Sequence, residues 1–318
     1  MKQDNKKERH LAPLRQMRLS RVIPILGICI ALLACVAAAA GIFWESGPGP
    51  STYQSIRGRV VPIYGKGLYQ HMSAEVAPQG IAQDYITLFL GVPVLLIALW
   101  KGLQGSKRGQ FLLAGTLGYF FVTYLFYTVM GMYNGFFLVY VALMGASFYA
   151  LLLTLLSFDV RLLKAYFSPP VPVGWTGGFL LFNAAVISLQ WLSIVVPPLL
   201  DGTIIPVQVE HYTTLIVQGL DLGILLPAAA ISAMLWLKQK PLGFLLAPVY
   251  YVFLSLIMSA LTAKVLAMLL LGYNVIPVIF IIPLFNIITI AGAVAILKSI
   301  RSTPYILQIK HYEKATSL

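Results

Sequence analysis

The stretch GFLLAPVYYVFLSLIMSALTAKVLAMLLL, residues 243–271, decides the fold class of this chain. About 20 consecutive apolar residues are enough for a helix to cross the roughly 30 Å hydrocarbon core of a bilayer, and this run exceeds that length. Lys264 is its only charged residue. A charge at the centre of a bilayer costs about 2.5–3.5 kcal/mol on insertion scales, so such a side chain normally faces protein or water and has a partner.

Seven further apolar runs accompany this one. The whole chain of 318 residues is 59 % hydrophobic and 10 % charged, with a mean hydropathy of +0.86, whereas soluble domains carry about 25 % charged residues. The sequence therefore predicts an all-α fold, a polytopic transmembrane bundle of eight helices. The predicted spans are 22–44, 85–101, 109–130, 135–158, 178–200, 212–237, 243–271 and 275–298.

The basic residues predict the orientation of this bundle. Eighteen of the 22 lysines and arginines lie in the two tails, 1–21 and 299–318, in the loops on the same side as the tails, or at the span ends that adjoin them. Three lie on the other side, namely Arg57, Arg59 and Lys66, and the remaining one is Lys264. Cytoplasmic loops are enriched in Lys and Arg. We therefore expect a multi-pass protein of a prokaryotic cytoplasmic membrane, with both tails in the cytoplasm.

The largest predicted extramembrane segment is the outer loop 45–84. Its stretch ESGPGPSTYQS, residues 45–55, is rich in Gly, Pro and Ser and favours an irregular excursion over a folded domain. The motif YGKG at 64–67 has no preceding strand and following helix, so it does not indicate a phosphate-binding loop. A cleaved signal peptide is the alternative interpretation of the first span, but its apolar run of 22–44 exceeds the usual 7–15 residues of a signal core.

Composition and motifs also exclude several classes of function. The basic residues form no continuous face for a phosphate backbone, so we expect no nucleic-acid partner. Cys29 and Cys35 point to different sides of one helix and form neither a pair nor a metal-ligand cluster. The chain has no HExxH or G-x-S-x-G motif. All four histidines lie outside the predicted spans, which argues against haem, and we expect no cofactor and no metal.

Two short similarities suggest a duplication of four spans. GMYNG joins spans three and four and LGYNV joins spans seven and eight, so that Asn134 and Asn274 occupy similar turns. QGIAQD at 79–84 and QGLD at 218–221 begin with the same two residues, and their separation along the chain is similar to that of Asn134 and Asn274. An even number of spans per half would relate the halves by an axis along the membrane normal. The alternative is chance, because Tyr, Asn and Gly are ordinary turn residues.

Asp221 is the predicted partner of Lys264. It is the only acidic residue well inside the predicted spans, and it lies at a depth of roughly 13 Å from the outer end of span six, against roughly 10 Å for Lys264 in span seven. We expect these two residues to form an ion pair. Gln218 lies one turn from Asp221, and Gln83 and Asp84 lie at the outer mouth of span two. The five residues are the candidate ligand or ion pathway.

Other polar side chains have a structural interpretation. Hydrogen bonds between Gln, Asn, Ser and Thr are common packing devices in membrane bundles, and the Asp221–Lys264 pair itself is alternatively a structural clip. The stripe of Tyr119, Thr123 and Tyr127 predicts helix packing rather than a ligand site. The small-residue stripe in span seven predicts a helix contact and comprises Ser255, Ser259 and Thr262.

Three runs carry a resemblance to a known family. They are YGKGLY with QGIAQDYITLFLGVPVLL (64–69 and 79–96), GTLGYFFVTYLFY with YNGFFLVYVAL (115–127 and 133–143), and EHYTTLIVQGLDLGILLPAA (210–229). These runs resemble a family of prokaryotic multi-span integral membrane proteins that has no assigned activity. The resemblance implies a membrane location and assigns no functional residue.

These observations lead to a hypothesis of function. A carrier or permease for a small solute is favoured, in which Asp221 and Lys264 line an outward-opening cavity, with Lys264 meeting an anionic group or a proton. The alternative is a non-transporting membrane component, such as a sensor or a scaffold for a partner complex, in which the pair is structural. A membrane enzyme is the third possibility. The lipid bilayer is the expected environment, a small solute is the expected partner, and the sequence identifies no protein partner.

Overall fold

The computed structural model describes residues 2–301, with side chains from Arg21 onward. Most of the predicted C-terminal tail, residues 302–318, therefore lies outside the described residues, as does Met1. The backbone of residues 2–20 continues the first helix toward the N terminus.

Eight helices in the described part of the chain are long and apolar enough to cross a membrane, which confirms the predicted all-α bundle of eight helices. The first continues beyond its candidate span, Arg21–Phe43, to residue 2. The helices are α1 (Lys2–Phe43), α2 (Ala77–Leu103), α3 (Lys107–Val129), α4 (Phe137–Leu156), α5 (Val173–Leu200), α6 (Ile216–Leu237), α7 (Gly243–Leu270) and α8 (Val278–Ser299).

Among the candidate membrane spans, that of α2 differs most from its predicted bounds. It begins at Ala77 rather than at residue 85. Its first ten residues, APQGIAQDYI, include polar side chains that lower the local hydropathy, and Gln83 and Asp84 are buried against protein. Hydropathy underestimates the length of a helix whose polar residues face other helices instead of lipid. Asp84 therefore lies inside a membrane helix and not in the outer loop 45–84, and Asp221 is not the only acidic residue in such a helix.

The helices pack as two groups of four in the same order. In the first group α1 contacts α2 and α4, and α3 contacts α2 and α4. In the second group α6 contacts α5 and α7, α7 contacts α8, and the ring of Phe285 on α8 packs on Phe179 and Phe182 of α5. The groups meet where α7 crosses α2 and α3. The α7 residues Phe244 and Tyr251 and the α3 residues Phe111 and Tyr119 belong to a single buried core.

Helices α2 and α6 are interrupted in the same way. Each contains a π-helical turn of five residues, Thr87–Gly91 in α2 and Asp221–Leu225 in α6. In each helix a proline, Pro93 or Pro227, stands at the second position after that turn. A π turn shifts the backbone hydrogen bonds and a proline removes one donor. Near these turns the carbonyl oxygen of Gln83 accepts from the hydroxyl of Thr87, and that of Leu225 accepts from the hydroxyl of Tyr250.

These interruptions bear on the predicted repeat. The side chain of Asn134 accepts a hydrogen bond from Phe136 N at 2.8 Å, and that of Asn274 accepts one from Ile276 N at 3.1 Å, so the two turns share this side-chain contact. The paired π turns and prolines add a second shared feature and support a four-plus-four repeat. Their register differs from the one given by the two Gln-Gly matches, which the helices therefore do not support.

The loops 44–76 and 201–215 lie at one end of the bundle, named here the hairpin end. Loop 44–76 contains an antiparallel hairpin of β1 (Ser51–Gln54) and β2 (Val60–Ile63), with Ser51 opposite Ile63 and Gln54 opposite Val60. The expectation of an irregular excursion is thus wrong for this part of the loop. The short segment Gly67–Tyr69 then forms a 3-10 turn before α2 begins.

Candidate functional site

Asp84 is the most deeply buried acidic side chain among the described residues, with 1 % of its surface exposed. Tyr69 from loop 44–76 donates its hydroxyl to Oδ2 of Asp84. The hydroxyl of Tyr127 on α3 lies 3.0 Å from Oδ1 of Asp84 and 3.0 Å from the carbonyl oxygen of Gly80, and 3.2 Å from the hydroxyl of Tyr69. The carboxylate is therefore held by two phenols from outside its own helix.

Gln83 lies beside Asp84 and faces the same helix, α3. Its Nε2 donates to the hydroxyl of Tyr119 at 2.9 Å and to Oγ1 of Thr123 at 3.3 Å. Thr87 at the start of the π turn donates to the carbonyl oxygen of Gln83 at 3.0 Å, and its hydroxyl lies 2.8 Å from that of Tyr119. The stripe of Tyr119, Thr123 and Tyr127 therefore packs α3 against α2, as predicted, and also satisfies the polar side chains of α2.

Asp221 occupies the first position of the π turn of α6 and is half-buried. Its Oδ2 accepts a hydrogen bond of 2.8 Å from Nε1 of Trp191 on α5. At the other end of the π turn, the carbonyl oxygen of Leu225 accepts from the hydroxyl of Tyr250 at 2.8 Å. Gln218, one turn earlier, is half-buried, and its side chain makes no hydrogen bond within residues 21–301.

Lys264 is half-buried on α7, between the two interrupted helices with which α7 packs. Its acidic neighbours are Asp221 and Asp84. In the described part of the chain its ammonium makes neither a salt bridge nor a hydrogen bond, so the direct ion pair expected between Asp221 and Lys264 is not formed. Each carboxylate is instead held by a neutral donor, and the lysine has charged neighbours on two helices rather than one.

Two of the three residues in the predicted α7 stripe, Ser259 and Thr262, contact α8, whereas Ser255 donates to the carbonyl oxygen of Tyr251 within α7. Ser259 donates to Oδ1 of Asn286 on α8 at 3.3 Å, and Nδ2 of Asn286 donates to Thr262 at 3.4 Å. These bonds link α7 to α8 on a side that does not include Lys264. The five candidate pathway residues thus form two groups. Gln83 and Asp84 on α2 are each hydrogen-bonded to tyrosines outside their helix, whereas Gln218, Asp221 and Lys264 have fewer hydrogen bonds.

The loops of the hairpin end are joined above this site. Arg57 donates to the carbonyl oxygens of Tyr212 at 3.0 Å and Thr213 at 3.3 Å, and Arg59 donates to that of Val207 at 3.0 Å. The hydroxyl of Tyr212 accepts from the backbone N–H of Ser73 at 3.3 Å. Two of the three basic residues predicted on the outer side therefore connect the two long loops.

Titratable side chains of these loops are perturbed by burial. Burial raises the pKa of Tyr69 well above its ordinary value, and the nearby charge of Asp84 raises it further. Burial also raises the pKa of Glu75, with a smaller contribution from the neighbouring carboxylate of Glu210. Tyr69 is thus a neutral hydrogen-bond donor at physiological pH. No group of three or more His, Cys, Asp or Glu side chains within the described residues is arranged to hold a metal ion.

Sequence reasoning missed the participation of Tyr69. Nothing in YGKGLY distinguishes a tyrosine that enters the bundle from one that faces solvent, because the distinction depends on the path of the loop. The polar stripe of α3 was a usable signal, since Tyr119, Thr123 and Tyr127 are spaced at one helical turn and need partners when buried.

No protein-family model matches the chain, and neither a curated protein nor a solved structure matches it.

Proposed function

We propose that this integral membrane protein is a carrier or permease for a small solute that carries an anionic group. The observation that supports this function most is the state of Lys264. Its ammonium lies within a membrane helix, near two carboxylates, and makes no hydrogen bond within residues 21–301. An ammonium group has three N–H donors, and those of the half-buried Lys264 have no protein acceptor among the described residues. A solute carboxylate or phosphate would satisfy them.

The surrounding residues fit a binding role. Gln218 has amide groups that are also without partners in the described chain, and it lies one turn from Asp221 on α6. The two acidic side chains already have donors from Trp191, Tyr69 and Tyr127, so they offer Lys264 charge without occupying its N–H groups. In this proposal Lys264 and Gln218 contact the solute, Asp221 and Asp84 keep the lysine charged, and Gln83 positions α2 against α3.

The π turns and prolines that interrupt α2 and α6 support the proposed carrier function. Discontinuous helices with free backbone groups near the middle of the bilayer are a recurrent feature of transporter binding sites. Here each interruption lies beside one of the two acidic residues. We place the protein in the cytoplasmic membrane with both termini inside, from the distribution of Lys and Arg, and expect lipid and a small solute as its partners and no nucleic acid.

Ligand binding tests the proposal most directly, because a ligand that binds only the folded state raises the melting temperature. The detergent-solubilised protein is heated with acetate, succinate, glycine, inorganic phosphate or glucose. We expect at least one of the anions to raise Tm in a saturable manner and glucose to have no effect. The rise should disappear in Lys264→Met and remain in Lys240→Met, whose lysine lies in the exposed loop between α6 and α7.

Transport is then measured with the anion that shifts Tm, as uptake of its radiolabelled form into proteoliposomes. Uptake that depends on Lys264 supports a carrier. Binding without uptake contradicts the transport function and favours a sensor. If no probe shifts the Tm of the parent protein differently from that of Lys264→Met, the proposed site is wrong.

The internal bonds of Asp84 favour a second candidate. Its carboxylate is satisfied by Tyr69 and Tyr127, as in a purely structural cluster that fixes helix packing. In that case the protein is a non-transporting component, such as a sensor or a scaffold for a partner complex. Copurification of a stoichiometric partner, together with no anion-dependent change in Tm, supports this alternative.

A further inference from the structure

Tyr69 connects the extramembrane loop to the charged site. It belongs to the segment 64–76, named here the strap, which follows the β-hairpin and leads into α2. The tyrosine is 5 % exposed, and its hydroxyl contacts both Asp84 and Tyr127. The strap therefore inserts one large side chain between the hairpin end and the acidic residue of α2.

Two glycines leave the space that the ring occupies. A Cβ atom at Gly80 on α2 would lie 2.7 Å from Cε1 of Tyr69, which is too close for two carbon atoms. A Cβ atom at Gly41 on α1 would overlap Oδ2 of Asp84 and lie 3.3 Å from Cε2 of Tyr69. Glycines on two adjacent helices thus form a slot for the tyrosine, and any larger residue at either position would displace the ring or the carboxylate.

Hydrogen bonds attach the strap to its neighbours. The carbonyl oxygen of His71 lies 3.1 Å from Nε2 of His211, and the backbone N–H of Ser73 donates to the hydroxyl of Tyr212 at 3.3 Å. The backbone N–H of Gly67 donates to the carbonyl oxygen of Ser46 at 2.7 Å, and Nδ2 of Asn134 donates to that of Leu68 at 3.1 Å. Tyr69, Met72 and Ala77 form a small buried cluster that is separate from the main core. Because this cluster lies apart from the main core, the strap can open locally while most contacts among the eight helices remain. Opening breaks the contacts that Tyr69 makes with α1, α2 and α3.

We infer that the strap is a gate at the hairpin end of the solute pathway and that Tyr69 is the plug that closes it. Closure places the ring in the slot formed by Gly41 and Gly80 and its hydroxyl on Asp84. Opening withdraws the ring, breaks the Tyr69–Asp84 hydrogen bond and exposes the carboxylate beside Lys264. This inference rests on the proposed carrier function for its purpose, but the gate itself can be tested without a solute.

The labelling rate of a cysteine introduced at position 264 measures the opening of the gate. In a Cys29→Ala, Cys35→Ala background, Lys264→Cys provides a single thiol, and the protein is placed in nanodiscs and treated with a membrane-impermeant cationic methanethiosulfonate. We expect Tyr69→Ala to increase the labelling rate by on the order of tenfold, because the closed state no longer predominates. Tyr133→Ala is the matched control, since this tyrosine is 77 % exposed at the same end of the bundle.

Equal labelling rates with and without Tyr69→Ala would overturn the gate, as would an equal increase in Tyr133→Ala. If Tyr69→Ala does not fold, Tyr69→Phe replaces it, since this variant keeps the ring and loses only the hydroxyl. It should increase the rate by roughly threefold through a shifted equilibrium, and an unchanged rate overturns the proposal. Because labelling requires no solute, faster labelling without anion binding retains the gate and rejects the carrier, whereas binding with unchanged labelling rejects the gate alone.

Discussion

Nε1 of Trp191 donates a hydrogen bond of 2.8 Å to Oδ2 of Asp221, so the carboxylate of α6 is held by α5 and not by direct contact with Lys264. The bond gives Asp221 a neutral partner and leaves the lysine available. A salt bridge between the two residues would have made each dependent on the other for burial. Because Asp221 and Lys264 do not form a salt bridge, the stability of variants at these positions can distinguish a structural pair from residues retained for function.

We expect Lys264→Met to leave the protein as stable as the parent or more stable, because no direct ion pair is lost and a partly buried charge is removed. Asp221→Asn retains an oxygen acceptor for Trp191 and should cost less than about 1 kcal/mol. Thermal unfolding in detergent of both single variants and the double variant measures the coupling. A large loss in each single variant that the double variant recovers would identify a structural clip instead.

Tyr127→Phe should destabilise the protein by about 1–2 kcal/mol. The substitution removes a hydroxyl that lies 3.0 Å from both Asp84 and the carbonyl of Gly80, and it leaves a buried carboxylate with one donor fewer. Tyr149→Phe is the control, since Tyr149 is 59 % exposed on α4 and should change stability by less than about 0.5 kcal/mol. Equal effects of the two substitutions in thermal unfolding would contradict a specific role for the Asp84 cluster.

Gly80→Ala should destabilise the protein by roughly 1–3 kcal/mol, because the added methyl group meets the ring of Tyr69 in a packed site. Gly178→Ala on α5 tests the same substitution where the added Cβ meets no atom within 4 Å. There the better helix propensity of alanine should stabilise by up to about 1 kcal/mol. Similar Tm values for the two variants would show that the slot tolerates a methyl group.

Arg57→Met should loosen the contact between the two long loops. Its guanidinium bonds to the carbonyls of Tyr212 and Thr213 are lost, while the eight helices are untouched. Hydrogen exchange of residues 201–215 should become several-fold faster, as expected from a loss of about 1 kcal/mol in local opening. Lys66→Met removes an exposed charge from the same loop and should leave exchange unchanged. Slower or unaltered exchange in Arg57→Met would contradict the cross-linking role.

The stability of the hairpin end should fall as pH rises through the titration of Glu75. Burial, followed by the charge of Glu210, raises the folded pKa of Glu75 above its ordinary value of 4.5. The folded state then binds this proton more tightly than the unfolded state, so the stabilisation is complete below about 4.5 and is lost through the raised pKa. The protection of residues 44–76 against hydrogen exchange, measured relative to the intrinsic exchange rate at each pH, should fall over this pH range.

Glu75→Gln should flatten this pH dependence. Glu45→Gln changes an exposed carboxylate in the same loop and serves as the matched control. A profile that stays steep in Glu75→Gln would assign the pH dependence to another group.

The sequence by itself determined the eight helices and the presence of a charge within them. Apolar runs report transfer from water to lipid, which is a local property of each segment, and Lys264 stands out within such a run. The prediction from local hydropathy placed the start of α2 too late, because the polar residues of APQGIAQDYI lower its hydropathy while protein, not lipid, surrounds them.

Only the tertiary structure decided which side chains contact the charged residues of the helices. It showed that Asp84 is buried beneath Tyr69, that Asp221 bonds to Trp191, and that Lys264 lies near both acids without contacting either. These relationships depend on helix rotation, on the π turns of α2 and α6 and on the path of a loop. None of the three follows from the spacing of residues along a single segment.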